Sequence, residues 1–332
     1  MKILIVVNYR PSGGLTEAVR ELAESLRKES FIVDIASTYG TIKGRIKNIF
    51  NIIRITRHYD FIIASGCADY GFLPILIGVI AGRLYKKNIL VDFHEGYPLP
   101  FMNKFGKAIK LFLGNIPVTV ASEYLLNVLK RYKFNVVLIP HQFHYENFPK
   151  REKAFSWNKK FIWVGIFQFM YDPETALKAC ELVLNERNDA EFHFFGKGPL
   201  LERMKNKYAH PNIKFRGFVP RDGLLKEYQY FSTLINTSFG DNFPLKLIEA
   251  SFNELLVLSA KCGGPATIYN DEECLFFEKE DYKTLSKLIL DILNNPHPYD
   301  LFRINMHKKV RGFTWNRVKD RWLALILPKK YE

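Results

Sequence analysis

Two carboxylates eight residues apart, Asp241 and Glu249, close the run Ser238-Phe-Gly-Asp-Asn-Phe-Pro-Leu-Lys-Leu-Ile-Glu249. A charged carboxylate accepts hydrogen bonds from two hydroxyls, each worth about 1.5–3 kcal/mol, so paired acids suit a polyhydroxylated ligand. The local pattern is a strand ending at Ser238, a turn, and a helix from Pro244, because proline is favoured where a helical N–H would have no partner. Asp241 then lies just before the helix and Glu249 within it, a spacing that lets one acid face sugar hydroxyls and the other a ribose. The turn and first helical residues, Asn242, Phe243, Pro244, Leu245 and Lys246, bring free N–H groups and the positive end of a helix dipole, which suit a phosphate. A lysine in that first turn opposes the dipole by about 0.3–1 kcal/mol. A bound anion near Lys246 rationalises it; a solvated surface lysine is the alternative. Taken alone, the two acids also fit a turn aspartate and a helix-surface glutamate.

The elements that must position these residues alternate. Short β-branched runs at 2–7, 31–36, 61–65, 88–94, 118–122 and 135–140 read as strands. Helical spacing fills the gaps, as in Leu15, Val19, Leu22 and Leu26, and at 71–85, 101–113 and 123–132. The rhythm restarts after a polar stretch at 145–158, with strands at 161–165, 191–196, 213–217, 233–238 and 255–260. Helices lie at about 173–186, 199–209, 221–229 and 244–253, and the tail 280–326 reads as helical. Such alternation implies parallel sheets covered on both faces. The expected fold is α/β, two Rossmann-like doubly wound domains joined near residue 150 and facing a central cleft. Ligands bind at the carboxyl ends of strands in such sheets.

The longest apolar run, 72–82, is far short of the roughly 20 residues that cross a bilayer. Nothing at the N-terminus reads as a signal peptide. Cys67, Cys180, Cys262 and Cys274 are scattered without metal-ligand spacing, so no metal site is expected and a reducing cytoplasm is the simplest compartment. The net charge of +14 suits an anionic partner. No aromatic-studded basic motif points to nucleic acid. Residues 42–57 and 101–112 carry part of that basic excess on amphipathic patterns. Ile42, Ile46, Ile49 and Ile53 accompany Lys43, Arg45, Lys47, Arg54 and Arg57. Phe101, Phe105, Ile109 and Phe112 accompany Lys104, Lys107 and Lys110. These helices either cover the sheet with lysines in water or lie on an anionic membrane.

The acid–seven residues–acid pattern inside its Phe-Pro-Leu…Ile-Glu-Ala frame resembles the signature of retaining GT-B glycosyltransferases, in particular glycosyltransferase family 4. Other segments carry the resemblance along the chain. Gly13-Gly14 opens the first helix. Val91-Asp-Phe-His-Glu95 is similar to the family's Val-x-x-His segment. Ala121-Ser-Glu123 and the run from Ile139 to Phe148 resemble the approach to the hinge. Gly196-Lys-Gly-Pro199 and Cys262-Gly-Gly-Pro-Ala266 resemble the glycine turns of the second domain, and Phe313-Thr-Trp315 the start of the last helix.

The resemblance implies residues 1–150 as an acceptor-binding domain, 151–312 as a nucleotide-sugar domain, and 313–332 as a helix crossing back to the first. It implies His94 and Asp241 at the donor sugar and Glu249 at the ribose. Gly13, Gly14, Gly165, Lys197, Asn242 to Lys246 and Lys261 would surround the donor. In that family an Arg follows the glycine of Trp163-Val-Gly165 and a Lys follows soon after, both on the donor diphosphate. Here Ile166 and Tyr171 stand in their places, and Thr267 replaces an acid after the later glycines. A leaving diphosphate needs positive charge, so Lys246 or Lys261 is expected to supply it. The implied activity is retaining, metal-independent transfer from a UDP- or GDP-sugar to a glycan or lipid-linked acceptor, with no cofactor. The protein is expected to be cytoplasmic, or peripheral on the inner membrane face. A non-catalytic partner subunit and a nucleotide-sugar 2-epimerase are the alternatives.

Overall fold

Strand β1 (Lys2–Val7) divides its side chains between two sheet faces with the period of two that a strand imposes. Ile3, Ile5 and Val7 pack with Val19, Leu22 and Leu26 of the helix Gly14–Lys28. Leu4 and Val6 pack on the other face with Ile52 and Ile62. A strand buried on both faces belongs in the middle of a parallel sheet. In the computed structural model, which describes residues 1–10, 13–149, 151–152 and 154–327, β1 is indeed central. Its companions are β2 (Ile32–Ser37), β3 (Phe61–Gly66), β4 (Asn88–Phe93), β5 (Val118–Val120) and β6 (Val136–Leu138). Among the described residues these six pair in the order β2-β1-β3-β4-β5-β6, all in parallel.

The helix Trp315–Ile326 joins this same core through Trp315, Val318, Trp322 and Ile326, which share one helical face. The Trp315 indole Nε1 donates to Glu29 Oε1 at 2.8 Å, and the Phe143 N–H donates to the Phe313 carbonyl at 2.9 Å. The first compact unit is therefore Met1–His144 with Phe313–Glu332, and the second is Tyr145–Gly312. The division falls a few residues before the charged stretch at 150, and aromatic packing explains why. Tyr145 stacks on Phe252 at 4.3 Å and Phe148 meets the same ring edge-on at 5.0 Å, which draws 145–148 into the second unit. Lys150 and Lys153 of the joining stretch, and residues 328–332 of the closing segment, lie outside the described residues.

The second sheet holds β7 (Lys160–Val164), β8 (Glu191–Phe195), β9 (Ile213–Gly217), β10 (Thr233–Asn236), β11 (Leu256–Ala260) and β12 (Leu275–Phe277). Their order, β12-β11-β10-β7-β8-β9, is the Rossmann order, with its topological switch point between β7 and β10. Five of these strands are expected from sequence. The sixth, β12, has three residues at the sheet edge, too short for a period to register. The helical tail expected from sequence holds the α-helices Tyr282–Asn294, Asp300–Val310 and Trp315–Ile326. Among the described residues no helix is long and apolar enough to cross a membrane.

Candidate functional site

The switch point of the second sheet gathers the end of β7, the end of β10 and the helix Leu245–Phe252. Pro244 is the cap of that helix rather than its first residue. Asn242 and Phe243 are buried in the turn before it. The turn is pinned by the Gly264 N–H, which donates to the Asp241 carbonyl at 2.7 Å. The neighbouring loop needs a glycine at 196: φ is +146° there, and a Cβ would fall 1.8 Å from the Gly165 carbonyl oxygen. Gly165 and Gly196 thus bring the loops after β7 and β8 together.

Lys246 turns inward over this junction. Its Nζ donates to the Val164 carbonyl at 3.1 Å and to Ser238 Oγ at 3.2 Å, and it lies 5.1 Å from the centre of the Tyr171 ring. The surface-lysine alternative is thereby removed: the ammonium sits at the end of β7, beside Gly165 and Tyr171. Burial pulls its pKa down to about 8, against the opposing pull of Asp241 and Cys262. Burial raises the Asp241 carboxyl, with Lys246 and the Asn242 N–H pulling the other way. Burial and the Asp241 charge push the Tyr171 phenol up to about 12. Asp241, Lys246 and Tyr171 therefore form one electrostatic cluster.

The other expected residues have partners of their own. Glu249 is only 4% exposed, and its Oε1 accepts from Arg221 Nε at 2.6 Å. Arg221, which the sequence reading missed, also lies over the Phe148 ring at 5.4 Å. Nothing local marks it, since its partner is 28 residues away in sequence. Lys197 lies over the Phe218 ring at 4.5 Å. Lys261, just after β11, is exposed, and its N–H donates to the Phe277 carbonyl at 2.8 Å. Thr267 Oγ1 bonds the Gly264 carbonyl at 3.1 Å.

In the first unit, Gly13 caps the helix that begins at Gly14, with φ of +139°. His94 follows β4, and its Nε2 meets Asp92 Oδ2 at 2.6 Å. Asp92 is buried; its Oδ1 accepts from Thr119 Oγ1 at 2.9 Å and its Oδ2 from Ser65 Oγ at 3.3 Å. Burial works to raise the Asp92 carboxyl, but the His94 imidazole, then His141 and the Thr119 hydrogen bond, hold it below the usual range. His141 stacks on His94 at 5.0 Å, and burial, followed by the His94 charge, drops its pKa to about 3. Asp92 was missed too, although the strand expected over 88–94 puts residues 92 and 94 on the same face. Among the described residues, Glu21, Glu24 and His144 cluster closely enough to hold a metal. The Lys28 ammonium lies 3.1 Å from His144 Nδ1.

The two basic helices separate. On Ile42–Thr56, Ile42 and Phe50 are 79% and 69% exposed and Ile46 is exposed, while Ile52 is buried. On Leu99–Leu113, Phe101 and Ile109 turn inward and cover the sheet, leaving Phe105 and Leu111 exposed. The apolar face expected there is thus half spent on the core.

A family model, glycosyl transferases group 1, matches residues 145–310. No curated protein matches the chain in sequence. Among solved structures, HepE of Anabaena, in complex with UDP and glucose, is similar with a TM-score of 0.79 at 12% identity, over 98% of this chain and 99% of HepE. Sucrose-phosphate synthase from Thermosynechococcus elongatus gives 0.77 at 17% identity, over 98% of each chain. A glycosyltransferase from Rickettsia africae gives 0.77 at 17%, over 99% of each. At these identities the likeness shows the fold, which is GT-B.

Proposed function

Because the chain belongs to the glycosyl transferases group 1 family, we propose that it moves a sugar from a UDP- or GDP-linked donor to a glycan or lipid-linked acceptor. The transfer retains the anomeric configuration and uses no metal ion. The observation that carries this reading is Lys246, folded back to the end of β7 beside Asp241 at the switch point. A departing diphosphate develops charge as its bond to the sugar breaks, and a preorganised cation lowers that barrier. Ile166 and Tyr171 cannot supply the charge; an ammonium 5.1 Å above the Tyr171 ring can. Asp241 takes the sugar hydroxyls, and the N–H groups of Leu245 and Lys246, at the start of the helix, take the phosphates. Glu249, oriented by Arg221, takes the ribose. His94, with Nε2 tied to Asp92, offers its other ring nitrogen to the sugar. The leaving diphosphate accepts the acceptor's proton on the same face. The protein works on the cytoplasmic side, with the exposed Ile42, Ile46 and Phe50, set among Lys43 and Lys47, against an anionic membrane.

UDP or GDP should raise the melting temperature, since a ligand that binds only the native state adds about 2.7 kcal/mol at a hundredfold excess over Kd. Lys246→Met keeps the stem and removes the charge; its turnover at saturating donor should fall at least about tenfold. No thermal shift with either diphosphate at millimolar concentration sinks the donor reading. The second reading, a non-catalytic partner subunit, is favoured by Ile166 and Tyr171 in place of the basic pair. Tight donor binding with no transfer to any acceptor would select it, and donor consumption without an acceptor would select a 2-epimerase.

A further inference from the structure

Phe169, in the loop after β7, stacks on Phe239, in the loop after β10, with ring centres 4.7 Å apart and planes 21° from parallel. Phe169 is nevertheless 71% exposed. A lone exposed apolar side chain is ordinary, but this pair is held in place. The Phe239 N–H donates to the Met170 carbonyl at 2.9 Å. Thr237 Oγ1 reaches the Tyr171 and Asp172 carbonyls at 3.0 and 2.7 Å, and the Trp163 indole donates to Thr237 Oγ1 at 3.0 Å. The two loops are therefore one rigid shelf at the switch point, with an aromatic face open to solvent and Asp241 two residues beyond Phe239.

We propose that the Phe169–Phe239 pair is a platform for the C–H face of a pyranose ring, the sugar of the donor, whose hydroxyls Asp241 accepts. A sugar ring has one apolar face and a polar rim, and recognition sites combine aromatic surface with a few placed polar groups. A phosphate finds neither charge nor donor on Phe169 and Ile166, and a nucleobase would bring Asp241 no hydroxyls. The proposal rests on the donor reading above and adds to it what selects the sugar.

The test is calorimetric binding of UDP, UDP-glucose, GDP and GDP-mannose to the full chain, its Phe169→Ala variant and its Phe169→Tyr variant. Phe169 is exposed, so both variants should keep the wild-type melting temperature within a few degrees. Phe169→Ala should weaken the nucleotide sugar about fivefold or more and leave the matching diphosphate within about twofold, and Phe169→Tyr should restore the sugar's affinity. Equal weakening of sugar and diphosphate, no weakening at all, or a wild type that binds each diphosphate as tightly as its sugar overturns the platform while the donor reading stands. A wild type that binds no diphosphate and no nucleotide sugar overturns both.

Discussion

Lys246 combines two properties that are usually found apart: a partly buried, desolvated ammonium and the proposed role of a cation. Desolvation lowers its pKa to about 8, whereas in the unfolded chain a lysine keeps a value near 10.4. Between those values the unfolded chain holds a proton that the native protein has lost. The contribution of this group to stability therefore rises with pH across that window, while its usefulness as a cation is lost. Since kcat/KM reports the free enzyme, kcat/KM should fall as pH rises above about 8. In Lys246→Arg the guanidinium stays charged, so that fall should disappear over the same range. A pH–rate series on both proteins checks this. An identical fall in the arginine variant would mean that another group titrates. Asp92 makes a contrasting case: a buried acid kept ionised by the histidine it positions, with Thr119 and Ser65 completing its hydrogen bonds.

At the scale of elements, the helix Trp315–Ile326 is separated in sequence from the core it completes by the whole second unit. Its hold is apolar: Trp315, Val318, Trp322 and Ile326 are all buried against β1 and the helix Gly14–Lys28. Trp322→Ala removes a large ring from that core, a change that costs about 3–5 kcal/mol. Among the described residues the Trp322 indole N–H has no hydrogen-bond partner, so losing it relieves a small penalty and the lower end, about 3 kcal/mol, is expected. Asn316→Ala, on the exposed face of the same helix, should stay within about 0.5 kcal/mol. Urea unfolding of the two variants beside wild type measures the difference, and equal midpoints would remove this helix from the stability of the first unit.

For the whole molecule, the net charge of +14 and the exposed Ile42, Ile46 and Phe50 meet in one helix of the first unit. Each lysine or arginine near an anionic bilayer adds about 1 kcal/mol, screened over about 8–10 Å at physiological salt. The wild type should co-sediment with vesicles containing phosphatidylserine, less so as salt rises, and not with phosphatidylcholine alone. Ile46→Ser with Phe50→Ser should weaken that binding without lowering the melting temperature, because both side chains already face water. Binding indifferent to lipid charge, or unchanged in the double variant, returns the basic excess to simple solvation. The helix Leu99–Leu113 should contribute less, since Phe101 and Ile109 are committed to the core.

What the sequence determined by itself was the periodic part. Strand–helix alternation and the glycine turns give two doubly wound sheets, because side-chain periods of two and 3.6 are local properties of the chain. The acid pair at 241 and 249 was legible for the same reason, as both residues belong to one turn and one helix. Tertiary structure decided whatever depended on a partner distant in sequence. It turned Lys246 inward to Val164 and left Lys261 outside, although each is a lysine beside a loop that follows a strand. It joined Glu249 to Arg221, Asp92 to Thr119, and Phe169 to Phe239. It also spent Phe101 and Ile109 on the core while leaving Ile42 and Phe50 in water, since amphipathic spacing marks a face without saying what covers it. Hydrogen bonds, desolvation and ring stacking act through space, and only the folded chain brings those residues within their reach.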